Sequence, residues 1–310
     1  KTGIYLSYVG LGANLLHLTY CHEIAKKYGP VTIITLCKNL EDALNDDPLI
    51  EEVHYLDNYQ KKLKDIFKLG EILKKFKLDN LLIFYPSLRI YFSAKIAGIK
   101  DVRIYNIFKK KNLHLIHAAK KFTEKFLQIK DCPTETNFHI KKEKLLKIKS
   151  KNKDKFKIVI GAGSSGPTTR WGSKNFSDLI NKLNQSNDYF FYILCGPNEK
   201  KISEKILSAL PKNNCLSFAS NNIKEIIPTM SLCDLYIGND SFGHHVASQS
   251  GIPSIIIMLD TPSAYSDYSN NQYRILPDGV NINDIDHNSV IDPNEIKVEK
   301  VYQQALTLLN

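Results

Sequence analysis

Tyr236-Ile-Gly-Asn-Asp-Ser-Phe-Gly-His-His-Val-Ala-Ser-Gln-Ser-Gly-Ile-Pro253 is the stretch whose reading decides the fold. A short apolar run, Leu235 to Ile237, meets the small and polar residues Gly238 to Ser241. A run with Val246 and Ala247 on one helical face follows, until Gly251 and Pro253 stop it. Ser254 to Leu259 is then an apolar strand, so the pattern reads strand, tight turn, helix, strand. The turn falls at the carboxyl end of a buried parallel strand, where open α/β sheets hold their ligands. Backbone N–H groups that open a helix have no partner within it, and the helix dipole favours an anion there by roughly 0.3–1 kcal/mol, about 2 when partly buried. Ser241, Gly243, His244 and His245 therefore mark a candidate diphosphate site. The plainer alternative is an ordinary cap by Asp240 or Ser241, with one packed and one solvated histidine.

Working outward, the same alternation fills the chain. Ile4 to Val9 reads as a first strand that ends in Gly10-Leu-Gly12-Ala13-Asn14, and Leu15, Leu18, Cys21, His22 and Ala25 recur at helical spacing up to Gly29-Pro30. Strands are expected at Val31–Leu36, Val53–Leu56, Leu81–Tyr85 and Val102–Tyr105. A long amphipathic helix from Leu63 to Phe76 and one capped by Ser87 lie between them. From Lys109 to Lys155 the text turns helical and lysine-rich, and the domain boundary is placed near Lys149 to Lys155. A second series then opens with a strand at Phe156–Ile160, the glycine-rich turn Gly161-Ala-Gly-Ser-Ser-Gly166, and a helix capped by Ser173. It closes with a final helix that starts at Asp292-Pro-Asn-Glu295, an acidic cap with Pro at N1 and Glu at N3. Strands alternating with helices throughout imply α/β with two parallel, doubly wound sheets. The expected domains are 1–150 and 151–310, Rossmann-like and facing each other across a cleft, the last helix packing back on the first domain.

Composition narrows the class. The 310 residues suit two domains with separate cores, and 43% hydrophobic with 24% charged residues is ordinary for a soluble globular protein. No apolar run approaches the ~20 residues that span a bilayer. Lys1-Thr2-Gly3 leads straight into a strand-like run, so no signal peptide is expected. The six cysteines are scattered without a C-x-x-C pair; they read as reduced core residues of a cytosolic protein, and no metal framework is expected. A net charge of +10 suits a phosphorylated substrate or an anionic membrane surface. Nucleic acid is not expected, because no binding motif accompanies the lysines and acidic residues are interspersed.

Gly161, Gly163 and Gly166 form G-x-G-x-x-G, yet the helix begins only after Trp171, later than a dinucleotide fingerprint requires. Thr168-Thr169-Arg170 follows directly, and a guanidinium with two hydroxyls beside exposed N–H groups suits a diphosphate. Trp171, the sole tryptophan, reads as a core anchor.

The run Phe156 to Ile180, with its glycine turn, Arg170-Trp171 and Phe176-Ser-Asp-Leu helix, resembles the start of the donor domain of the heptosyltransferases, glycosyltransferase family 9. Cys195-Gly196-Pro-Asn-Glu199 is similar to that family's next sheet-end loop, and Asn239 to Pro253 to its Asp-Ser-Gly-x-x-His-x-Ala motif. Leu78–Ile83, Leu88-Arg89 and Ala97–Arg103 run in the family's order. The resemblance implies a GT-B glycosyltransferase that moves a heptose or related sugar, with inversion, from a nucleotide-diphosphate donor, ADP-linked by first choice, to a lipopolysaccharide or other glycan acceptor. It implies no cofactor beyond that substrate, and a place in the cytoplasm or peripherally on the inner membrane face. Carried over, Gly163, Ser164, Thr168, Thr169, Arg170, Gly196, Glu199, Asp240, Ser241, Gly243, His244 and His245 line the donor side, with Glu199 placed for a nucleotide hydroxyl. Gly12, Ala13, Asn14 and Arg89 lie on the acceptor side.

The departures concern catalysis. Where the family has Gly-Asp in its first loop, that Asp being the proposed base, this chain has Gly12-Ala13-Asn14. Asn accepts no proton, so Asn14 holds the position without the chemistry, and His17, one helical turn on, is the titratable substitute. Thr169 stands for the family's Lys, Gly172 for its Pro and Phe242 for its Gly. Two alternatives follow: a non-catalytic member that binds a nucleotide sugar or glycan, and a nucleotide-sugar epimerase.

Overall fold

The computed structural model describes residues 1–57, 65–108, 114–149, 155–164, 166–210 and 214–309. It divides into two compact units, Lys1–His139 and Ile140–Asn310. Residues 150–154, within the stretch where the sequence places the boundary, lie outside the described set, as do Leu63 and Ser165.

The first unit runs β1 (Thr2–Leu6), α1 (Leu11–Leu16), α2 (Leu18–Tyr28), β2 (Val31–Thr35), α3 (Leu40–Leu44), β3 (Ile50–Tyr55), α4 (Asp65–Lys75), β4 (Asn80–Ile83), α5 (Leu88–Ile96), β5 (Asp101–Ile104) and α6 (Leu115–Leu127). Its five-stranded sheet has the order β3-β2-β1-β4-β5, every pairing parallel. Ile4 faces Ile33 on one side and Leu82 on the other, which fixes β1 at the centre. Tyr5, Leu81, Ile83, Leu69, Leu73, Ile90 and Ala94 share one core under α4 and α5. Each such aliphatic or aromatic side chain stabilises the unit by about 1.5–3 kcal/mol when fully buried. Ser87 caps α5 as its sequence suggests, accepting from the Ile90 N–H.

The second unit runs α7 (Lys142–Lys149), β6 (Phe156–Gly161), α8 (Ser173–Ser186), β7 (Tyr189–Leu194), α9 (Lys200–Ser208), β8 (Cys215–Ser217), α10 (Ile223–Met230), β9 (Leu235–Asn239), α11 (Phe242–Ser248), β10 (Ser254–Ile257), β11 (Gln272–Ile275) and α12 (Val298–Leu309). Its six strands are parallel in the order β11-β10-β9-β6-β7-β8. Ile158, Ile160, Trp171, Phe176, Leu179, Ile237 and Ile255 form its core. Val301 and Ala305 of α12 join the same cluster, so the last helix is built into the second unit.

Local readings change at four places. The first helix begins at Leu11, so Gly12, Ala13 and Asn14 are helical rather than part of the loop. That helix breaks at His17, which ends α1 and opens α2. Gly172, not Ser173, is the residue before α8. Asp292 does cap, accepting from the Asn294 N–H, but only a single 3-10 turn follows, and α12 starts at Val298. The reason lies at Ile296, whose backbone is extended with φ −88° and ψ 101°. Straightening there buries its side chain in the core and hands its carbonyl to the Trp171 indole N–H at 2.9 Å.

Candidate functional site

In the second sheet β6 is flanked by β7 on one side and β9 on the other, so the crossover direction reverses between β6 and β9. The loops at the carboxyl ends of these strands diverge, and this is where open α/β folds place a ligand. Gly161 and Gly238 face each other across that pair. A Cβ on Gly238 would lie 2.6 Å from the Gly161 Cα, so the two strand ends approach as only glycine allows.

Beyond Gly161 the chain turns through Gly163 and Ser164 and is fastened to the loop after β7. Glu199 does the fastening. Its Oε1 accepts from the Ser164 N–H at 2.9 Å and its Oε2 from the Gly196 N–H at 2.9 Å. Arg170 donates from Nη2 to Glu199 Oε1 at 2.6 Å and to the Ser164 carbonyl at 2.9 Å. The Ser164 and Thr169 hydroxyls meet, Thr169 also donates to the Gly166 carbonyl at 2.7 Å, and Thr168 donates to Asp260 beyond β10. Thus Ser164, Thr169, Arg170, Gly196 and Glu199 share one hydrogen-bonded network, with Gly163 beside Ser164 in the chain and Thr168 tied separately to Asp260. Glu199, expected to receive a nucleotide hydroxyl, already spends both oxygens on the loop and on Arg170.

Asn239 ties this network to β9. Its Nδ2 donates to the Ala162 carbonyl and its Oδ1 accepts from the Trp171 N–H, both at 2.9 Å. Trp171 is a core anchor, sealed against Phe176. Ser241 precedes α11, yet neither Ser241 nor Asp240 caps it. Asp240 instead turns to His244, whose Nε2 lies 2.5 Å from Oδ1. His244 also faces Gln272 at 3.4 Å, and His245 pairs with the Tyr268 hydroxyl at 2.7 Å. Both histidines are buried, so the solvated one of the plainer alternative is absent; they brace the loop from behind. Gly243 packs on Tyr236, where a Cβ would come within 2.7 Å of Leu194 Cδ2. Asn239, Asp260, Gln272 and Tyr268 were not among the sequence candidates. Asp260 alone had a visible signal, a carboxylate one residue past an apolar strand.

Two polar atoms in this cluster, Asp240 Oδ2 and Arg170 Nε, are buried without a hydrogen-bond partner among the described residues. Buried polar groups are nearly always paired, so an orphaned acceptor and an orphaned donor in these two loops call for partners beyond the described residues. The Arg170 side chain is 32% exposed, and Thr168 is open to solvent. A guanidinium with free N–H groups beside hydroxyls suits an anion with several oxygens.

The corresponding end of the first sheet buries two sequence candidates. Asn14 is buried, with Nδ2 donating to the Tyr8 carbonyl at 2.9 Å and the Gly10 carbonyl at 2.7 Å, and Oδ1 accepting from Thr35 at 2.8 Å. It is a brace for the first loop. His17 is fully buried, stacked on Tyr8 at 4.9 Å between centroids, with Nδ1 2.6 Å from the Ala13 carbonyl. Burial lowers its pKa to about 4, against the smaller upward pull of that bond. Gly12 and Ala13 are half-buried in α1, and Arg89 lies in the first turn of α5. The loops after β1, β4 and β5 carry Tyr8, Tyr85, Ser87, Tyr105 and Asn106 but no carboxylate among the described residues.

Two parallel Rossmann-like sheets, with a polar cluster at the switch point of the second, define the GT-B class of α/β protein. The solved structures agree. The chain is similar to E. coli ADP-heptose lps heptosyltransferase II at 16% identity and TM-score 0.74, over 100% of this chain and 98% of that one. It is similar to a glycosyl transferase family 9 protein from Veillonella parvula at 17% identity and TM-score 0.79, over 99% and 96%. It also matches E. coli heptosyltransferase WaaC with ADP at 11% identity and TM-score 0.72, over 99% and 100%. None of the curated proteins matches by sequence. The profile of glycosyltransferase family 9 (heptosyltransferase) matches residues 92–279, more than half of the chain. The chain belongs to glycosyltransferase family 9.

Proposed function

We propose that this family member transfers a sugar from an ADP-linked donor to a saccharide acceptor, and that the second unit holds the donor diphosphate at the β6–β9 switch point. The observation that carries this is the orphaned pair, Asp240 Oδ2 and Arg170 Nε, on the two loops that leave the adjacent strand ends of β6 and β9. Arg170, Thr168, Thr169 and Ser164 face the diphosphate, with Gly163, Gly196, Ser241 and Gly243 supplying close backbone. Asp240, held by His244 and backed by His245, accepts from a donor hydroxyl, while Glu199 sets Arg170 and the loop. Gathering charge on the leaving diphosphate is the step such a site accelerates, since donors preorganised toward developing charge count most.

Heptose as the sugar, inversion as the outcome and a phosphorylated, lipid-linked glycan as the acceptor extend the reading, with Gly12, Ala13 and Arg89 on the acceptor side. The net charge of +10 suits such an acceptor and an anionic membrane surface, and no described helix is long and apolar enough to cross a membrane. Calorimetric titration with ADP, UDP, GDP and CDP tests the donor site. ADP is expected to bind selectively, with Asp240→Ala and Arg170→Ala each weakening it at least tenfold. Unchanged ADP affinity in Asp240→Ala sinks the assignment.

A second reading, a nucleotide-sugar binder without transferase activity, is favoured by one observation: no carboxylate stands in the loops after β1, β4 and β5 among the described residues. Transfer from ADP-heptose to a glycan acceptor by the purified protein would eliminate it.

A further inference from the structure

Away from the switch point, three side chains from distant parts of the first unit meet. His22 lies in α2, Asp47 in the turn between α3 and β3, and His139 at the unit's last residue. Asp47 Oδ2 is 2.7 Å from His22 Nε2, and Asp47 Oδ1 is 3.0 Å from His139 Nδ1. The three ligating atoms lie within 4.8 Å of one another. The His22 and Asp47 side chains are 1% exposed and that of His139 is 42% exposed, so the cluster is closed on two sides and reached from the third.

We infer that His22, Asp47 and His139 form a binding site for a divalent transition-metal cation such as Zn2+ or Co2+. Two imidazole nitrogens and one carboxylate are the donor set these metals take, with open positions left for water. The outer contacts fit as well. His22 Nδ1 lies 2.8 Å from the Thr136 hydroxyl, which fixes the ring with Nε2 toward the carboxylate, and Asp47 Oδ1 also accepts from the Leu49 N–H at 3.0 Å. Ligating histidines and carboxylates are held by second contacts of this sort. Tetrahedral ligands about 2.1 Å from a zinc ion sit roughly 3.4 Å apart. Reaching that spacing opens the His22–Asp47 separation by about 0.7 Å and the Asp47–His139 separation by about 0.4 Å, and the half-exposed His139 ring has room to take up its share. Binding pins the segment from Thr136 to His139 onto α2. The other His–Asp group, Asp240, His244 and His245, is a poorer candidate, because none of its three side chains offers an exposed face comparable to that of His139.

Chelator-treated full-length protein titrated with Co2+, followed by visible absorption and by equilibrium dialysis with Zn2+ as competitor, tests the assignment. One equivalent should bind with the intensified absorption of a low-coordinate nitrogen–oxygen site, and saturating Zn2+ should raise the Tm. His139→Ala, at a half-exposed position, should weaken binding at least tenfold and abolish the Tm rise, and Asp47→Asn should do the same if it folds. Asp240→Asn should leave the affinity unchanged. No stoichiometric binding, binding indifferent to His139→Ala, or binding lost in Asp240→Asn each overturns the site.

Discussion

His17 shows how far a side chain's surroundings decide what it does. Its pKa falls from the ordinary 6.5 to about 4 because burial penalises the charged ring. The unfolded chain then binds a proton that the folded one refuses. Stability is full above the unfolded value and is lost as pH falls from 6.5 toward 4. Between pH 7 and 5 this single group costs about 2 kcal/mol. His17→Phe, which keeps a ring stacked on Tyr8, should remove that much of the pH dependence in denaturant titrations at the two pH values; an unchanged slope would mean that the ring titrates normally. Glu199 makes a second case. Glu199→Ala strips the acceptor from Ser164, Gly196 and Arg170 together, so ADP affinity should fall about tenfold or more, while Glu199→Gln should lose less because the amide oxygen still accepts. Such roles are hard to read in a sequence. Asn14 and His17 sit at the right spacing for a catalytic loop, yet spacing carries no burial. Glu199 and Arg170 were visible as site residues, whereas their bond to each other needed the fold.

At the scale of elements, strand–helix alternation announced both sheets, because a parallel sheet buries each strand as a continuous apolar run. Weaker patterns escaped. Gln272-Tyr-Arg-Ile275 alternates too briefly to stand out, and it becomes β11 only because β10 offers an edge. The capping signals at Asp292 were real but were outweighed by burial of Ile296 and its carbonyl bond to Trp171. Close approach is another property that strand patterns omit. Gly238→Ala would put a methyl 2.6 Å from backbone atoms of Gly161, which cannot rotate aside. The expected loss is about 3 kcal/mol, the upper range for overpacking, and ADP affinity should fall with it as β6 and β9 are forced apart. Thermal melts and calorimetry on the same sample read both; a wild-type Tm would show that the strand ends have slack.

The whole molecule is two sheets, each with its own core, and the proposed donor cluster draws all its residues from the second. Every hydrogen bond that shapes it, from Ser164–Glu199 to Asp240–His244, closes within residues 140–310. A unit with its own core and its own network is a candidate for independent folding. Residues 140–310 expressed alone should therefore melt cooperatively and bind ADP within about threefold of the full chain, while residues 1–139 should bind none. Transfer should need both, since the acceptor side is assigned to the first unit. A folded 140–310 fragment that has lost ADP would place part of the donor site in the first unit, and the orphaned Asp240 Oδ2 and Arg170 Nε would then need another partner.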